Sequence, residues 1–169
     1  MIRDERASDR DAIRHVHEEA FGGPLEARLV DLLRERNKVT LSLVAAIDGV
    51  VVGHILFSAV TITGVPAARA VGLAPVGVLP THQKNGVGSA LVREGLARCK
   101  RAGYGLVVLI GEPAYYRRFG FRSAKRFGFD NEYGVGDEFM VLELNEHGLP
   151  DGGGLVQYAP EFTEAEAGC

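Results

Sequence analysis

The chain has 169 residues, 46% of them hydrophobic and 24% charged, with a formal net charge of −3 at pH 7. That length and balance suit one soluble globular domain over residues 1–169, with its core over about 1–145 and a C-terminal strand and tail over 146–169. They exclude a nucleic-acid partner, because the basic residues are dispersed apart from "RCKRAG" and "YYRRFGFRSAKR", and a membrane span, because no apolar run approaches roughly 18 residues.

The opening "MIRDERASDRDAIR" is charged, so no signal peptide is expected. Ser8 with Asp11 three residues later reads as a capping box, followed by Ile13, Val16, His17 and Ala20 at helical spacing. Gly22 to Pro24 break that helix, and Leu25, Leu29, Leu32 and Leu33 mark a second one running to about Asn37. His15 and His17 are two apart on the first helix and point to different sides, which argues against a metal pair, and no metal is expected.

"LSLVAAI" and "VVGHILFSAVTI" are β-branched runs joined by Asp48-Gly49, a dipeptide suited to a tight hairpin turn. A third run, Ala70 to Val78, continues the sheet, and Pro75 within it signals an edge, a bulge or an interruption of pairing. From Gly86 to Ala102 one face carries Leu91, Val92, Leu96 and Cys99, and Gly103 stands where a C-terminal glycine cap belongs. "LVVLI", Leu106 to Ile110, follows as a central strand joined by a strand–helix–strand crossover.

"EPAYYRRFG" reads as a short helix with Pro113 in its first turn, and "FMVLEL", Phe139 to Leu144, as another strand. A last strand is expected at Leu155 to Ala159, with "TEAEAGC" frayed beyond it. Cys99 and Cys169 lie far apart, with neither disulfide nor metal spacing, which fits a reducing cytoplasm. The fold expected is therefore α/β (an α+β mixed sheet), largely antiparallel and flanked by helices.

The stretch "VGVLPTHQKNGVGSALV", Val76 to Val92, carries the chemistry. Gly86 and Gly88 stand at the mouth of a helix, where bare amides sit at the positive end of the macrodipole, and Gln83, Lys84 and Asn85 add donors and one positive charge. Such a turn wants a phosphate. It is no P-loop, because Gly86-Val87-Gly88-Ser89 puts the lysine on the wrong side. The dinucleotide fingerprint fails as well, since its third glycine falls on Leu91.

Gln83-Lys84-Asn85-Gly86-Val87-Gly88 instead resembles the acetyl-CoA-binding motif Q/R-x-x-G-x-G/A of the GNAT superfamily of N-acetyltransferases, and "EPAYYRRFGF" with "FMVLEL" is similar to its YhbS-like branch. The resemblance covers nearly the whole chain. It implies acetyl-CoA as co-substrate, bound by Val76, Gly77, Val78, Gln83, Lys84, Asn85, Gly86, Val87, Gly88, Ser89, Tyr115 and Phe119. It also puts Tyr116 at the position of a tyrosine that protonates the departing thiolate, a role suited to a phenol whose ordinary pKa is near 10.

Two departures from the pattern stand out. Position 109 is Leu109 where many members carry an asparagine, and the strand "ARAVGLAPVGV" lacks the glutamate that some use as a base. Glu26, His54 and Glu112 are the alternatives for that base. Acceptor contacts are expected from the opening helices and from the loops Thr63 to Ala68 and Phe127 to Gly136, with a small-molecule amine the expected acceptor and a protein amine the alternative. A homodimer through an exposed final strand and a non-catalytic acyl-CoA sensor both stay open.

Overall fold

The computed structural model describes residues 1–167; Cys169 lies outside the described residues. Strands form a mixed, largely antiparallel sheet flanked by helices, and the chain segments group into two compact units. Among the described residues, one unit comprises Met1–Ser58, Ala74–Gly95 and 159–167; the other comprises Ala59–Leu73 and Leu96–Tyr158.

The first unit is framed by strands β1 (Ile2–Asp4), β2 (Val39–Ile47) and the start of β3 (Val50–Ile62), all antiparallel. Asp48 and Gly49, at φ 50° and 80°, form the two-residue turn that pairs Ile47 with Val50, as the dipeptide predicts. Helices α1 (Arg10–Phe21) and α2 (Leu25–Glu35) bury Ile13, Val16, Leu29, Val30 and Leu33 against Val44, Val51 and Leu56 of the strands. Gly22, at φ 73°, caps α1 with its N–H to the Glu18 carbonyl, so the break read at Gly22 to Pro24 is real.

The Ser8 capping box does not form. Helix α1 starts at Arg10, and Asp9 instead accepts the Arg6 N–H at 2.7 Å and a bidentate guanidinium from Arg3 at 2.7 and 3.0 Å. A charged partner on β1, which the sequence reading did not include, outcompetes a local hydroxyl cap. The tail also differs from expectation, because Glu161–Ala167 is helix α5, with Ala165 buried and Glu164 paired to Arg36 at the end of α2.

In the second unit the residues Ala70–Gly72 of β4 (Ala70–Val78) pair in parallel with Leu106–Val108 of β5 (Leu106–Ile110). Between β4 and β5 runs α3 (Val87–Arg101), the expected crossover helix, with Gly103 at φ 89° closing it. After β5 come α4 (Pro113–Tyr116), the two-residue β6 (Arg122–Ser123), β7 (Phe129–Asn131), β8 (Phe139–Glu143) and β9 (Gly154–Gln157). β8 lies antiparallel to both β5 and β6. β9 is antiparallel to the end of β3 and parallel to β7, so the final strand is paired on both sides within the chain rather than left open for another subunit.

Candidate functional site

The parallel ladder between β4 and β5 covers Ala70–Gly72, and Pro75 lies beyond it, where its missing N–H costs that ladder nothing. From Ala74 onward β4 belongs to the first unit, with Gly77 buried and Val76 and Val78 half-buried on either side of it. The strand ends in the turn Pro80–His82, and the Gln83 amide donates back to the Val78 carbonyl at 2.9 Å. One of Gln83's donors therefore ties the loop to the strand instead of facing outward.

Past Gln83 the backbone twice enters the left-handed region, at Lys84 (φ 64°) and Gly86 (φ 83°). A glycine accepts that conformation freely, whereas an L side chain at such an angle costs about 1–2 kcal/mol. Gln83, Lys84, Asn85 and Gly86 are exposed, and a Cβ on Gly86 would meet nothing within 4 Å. The Ala90 N–H donates to the Gly86 carbonyl at 3.0 Å, and the amides of Val87 and Gly88 stand in the first turn of the 15-residue helix α3. Open backbone, a lysine and a helix N-terminus together fit an anionic diphosphate.

Gly77 meets the first helix. A Cβ there would lie 2.8 Å from His17 Nδ1 and 3.4 Å from the Phe21 ring, so only glycine lets the strand run this close to α1. His17 is buried and His15 exposed, which confirms that the two face opposite ways. His17 Nε2 lies 2.7 Å from Nδ1 of His54, whose Nε2 lies 2.8 Å from Ser42 Oγ. Burial, with Arg34 adding to it, holds His17 down at about 4, and burial, His17 and Arg34 hold His54 well below the ordinary histidine value. Both rings are therefore neutral near pH 7.

The base candidates read from the sequence fare differently. Glu112 is the N-cap of α4, accepting the Ala114 N–H at 3.4 Å, and Glu26 sits half-buried in the first turn of α2. His54 is fully buried with both ring nitrogens engaged, so it presents none to a substrate. Among the described residues, the buried side-chain atoms without a hydrogen-bond partner are Nδ1 of His17, Oγ of Ser58 and Oε2 of Glu161; spacing alone did not single out His17.

In the second unit, Pro113 opens α4 and delivers Tyr115 and Tyr116 just past β5. The Tyr115 ring meets Tyr116 edge-on at 4.9 Å and Phe119 at 5.4 Å, and Tyr116 also packs edge-on to Phe121 at 6.0 Å. The Arg118 guanidinium lies 4.4 Å over the Tyr115 ring. Gly111 is required beneath them, because a Cβ there would come within 2.4 Å of the Tyr116 ring. Burial, with Tyr115 adding to it, pushes the Tyr116 phenol up to about 12, further above an alkyl thiol than its ordinary value would be. It stays protonated at neutral pH and acts as a hydrogen-bond donor more readily than as a full proton donor.

Among the described residues no group of three or more His, Cys, Asp and Glu could hold a metal ion, and no helix is long and apolar enough to cross a membrane. Cys99 is a buried free thiol.

Residues 1–124 match the family model described as "Acetyltransferase (GNAT) domain". The chain is 37% identical over 165 residues to the N-acetyltransferase YhbS of Escherichia coli K12, itself described as uncharacterized, covering 96% of this chain and 98% of that protein. The crystal structure of E. coli YhbS in complex with CoA superposes with a TM-score of 0.92 at 36% identity, covering 96% of this chain and 91% of that one. A GNAT family acetyltransferase from Brucella melitensis in complex with acetyl-CoA gives a TM-score of 0.80 at 42% identity, covering 96% and 97%.

Proposed function

Because the chain belongs to the GNAT acetyltransferase family and is an acetyl-CoA-dependent acyltransferase, we propose that it transfers the acetyl group directly to a primary amine of a small molecule. The observation that carries this reading is the loop after β4. Its left-handed Lys84 and Gly86 turn open backbone toward solvent at the start of a long helix. In this reading Lys84, Asn85, Gly86, Val87, Gly88 and Ser89 hold the diphosphate of coenzyme A, with Gln83 bracing the loop against Val78. The backbone of Val76, Gly77 and Val78, beyond the β5 ladder, pairs with the pantetheine arm as an added strand would.

Three things are required for aminolysis of the thioester: proximity, polarisation of the carbonyl and a partner for the departing sulfur. An amide of Val76 to Val78 serves the carbonyl oxygen. Tyr116 serves the sulfur through its phenolic O–H, and Tyr115 and Phe119, packed against its ring, keep the phenol in place and line the coenzyme's path. The whole chain acts as one catalytic domain, in the cytoplasm where its buried free Cys99 stays reduced.

Calorimetry with acetyl-CoA, run beside a thiol-release assay over a panel of small primary amines, tests this function. Binding together with amine-dependent thiol release is expected. Binding without release over the whole panel favours a non-catalytic acyl-CoA sensor, and no binding refutes both readings.

A further inference from the structure

Phe21, the last residue of α1, is a large apolar side chain left 47% exposed. Its ring is held in that exposed position by two contacts. It stacks on the buried His17 ring, one turn earlier on the helix, with 5.9 Å between centroids and 17° between planes. Its edge reaches β4, where the ring lies 3.4 Å from the place a Cβ on Gly77 would take. With one face toward His17 and an edge on the strand, the outer face is left to solvent. Gly22 and Gly23 follow, and a Cβ on either would meet nothing within 4 Å, so the turn leaves open space beside the ring.

The surroundings are negative. Phe21 stands at the C-terminal end of α1, the end of the macrodipole that attracts cations, and the last turn of the helix holds no basic residue. Glu18, three residues back, is half-buried on the same side of the helix as Phe21; Glu19 is exposed, and Glu26 lies half-buried in the first turn of α2. Among the described residues none of these three carboxylates has an ion-pair partner. Burial, with Arg34 adding to it, holds His17 at about 4, so no positive charge lies under the Phe21 ring at neutral pH. An apolar ligand gains from the ring but nothing from the carboxylates or the helix end. An organic cation gains from all three, through its attraction to an aromatic face and to negative charge.

We propose that Phe21 determines acceptor specificity, and that the acceptor is an amine carrying a second, cationic group that rests on the outer face of this ring. The proposal rests on the acyl-transfer reading above, which gives Val76 to Val78 to the thioester arm and so puts Gly77, and the ring against it, beside the reacting carbonyl. The attacking amine is neutral and takes no part in the contact; the charge that is recognised belongs to the far end of the same molecule. A diamine meets both requirements, with one nitrogen free to react and the other an ammonium. A monoamine of equal length offers the ring only a methyl group.

Turnover of acetyl-CoA by the full chain with cadaverine and with hexylamine, which differ only in an ammonium or a methyl at the far end, tests the proposal. In the wild type kcat/KM for cadaverine should exceed that for hexylamine by at least about tenfold, well above the factor of two that cadaverine owes to its equivalent nitrogens. Phe21→Leu keeps an apolar side chain but no aromatic face, and should cut that ratio about fivefold. Phe21→Tyr keeps the face and should hold the ratio within about twofold of the wild type. A loss of packing slows both amines alike, so the ratio reads the contact and not the fold.

A wild type that acetylates other amines without preferring cadaverine to hexylamine overturns this inference and leaves the acyl-transfer reading standing. So does a ratio in Phe21→Leu equal to that of the wild type, or one in Phe21→Tyr that falls as far as in Phe21→Leu. A wild type that binds no acetyl-CoA, or releases no thiol with any amine, overturns the acyl-transfer reading and this inference with it.

Discussion

Replacing Gly86 with alanine separates what the loop does for the fold from what it does for the ligand. Gly86 sits at φ 83°, and a Cβ there meets nothing within 4 Å, so the cost inside the protein is backbone strain alone. For an L residue in the left-handed region that is about 1–2 kcal/mol, which in a chain of this size lowers Tm by roughly 2–8 °C. Gly49 offers a matched control, at φ 80° with equally open space, in the hairpin turn between β2 and β3. Gly86→Ala and Gly49→Ala should therefore lose similar stability. Only Gly86→Ala should lose affinity for acetyl-CoA, because its methyl stands where the diphosphate would meet bare backbone; the expected rise in Kd is at least about tenfold, or 1.4 kcal/mol. Differential scanning calorimetry and titration calorimetry on both variants read the two effects separately. Equal affinity in the two folded variants would show that the loop is not the diphosphate site.

Tyr116→Phe should bind acetyl-CoA normally and lose about a hundredfold in kcat, since it removes the hydroxyl proposed to serve the departing thiolate; steady-state kinetics with calorimetric Kd values checks this, and an unchanged kcat removes the role. The pH dependence of stability follows from His17, held by burial at about 4 against an ordinary value near 6.5. Between those values the unfolded chain binds more protons, so stability falls as pH drops through that window, by up to about 3 kcal/mol at pH 4. Thermal melts from pH 7 to 4 should show that fall and a shallower one in His17→Gln; identical slopes would contradict the buried, neutral ring. Gly95→Ala on α3 should destabilise by about 1–3 kcal/mol through overpacking, because its Cβ would come within 2.5 Å of the Phe57 ring. Chemical denaturation of that variant measures the loss, and no loss would mean that Phe57 is free to move.

Features governed by local chemistry were legible in the sequence. Asp48-Gly49 fixed a two-residue hairpin, Gly22 and Gly103 stopped helices, and the periodic Leu91, Val92, Leu96 and Cys99 marked the face of α3. Features that depend on a distant partner were not legible. β1 and β6 hold only three and two residues and exist through pairing with β2 and β8, so no local pattern announces them. Asp9 prevailed over Ser8 at the start of α1 because Arg3, six residues away and on a strand, reached its carboxylate. The tail helix α5 owes its order to Arg36 and to the buried Ala165 rather than to its own seven residues.

The site divides in the same way. The loop proposed for the diphosphate, Gln83 to Ser89, could be singled out because a ligand that approaches bare backbone demands glycines at fixed positions. The contacts of His17 could not, because they join it to His54 across 37 residues and to Gly77 on a packed strand. A histidine on an apolar helix face gives no sign of which nitrogen will be left without a partner.

Mass spectrometry of the acceptor tests the central claim most directly. With acetyl-CoA and a primary amine that supports thiol release, the account expects acetylated amine to form in one-to-one proportion with free coenzyme A. Coenzyme released without any acetylated amine would contradict it.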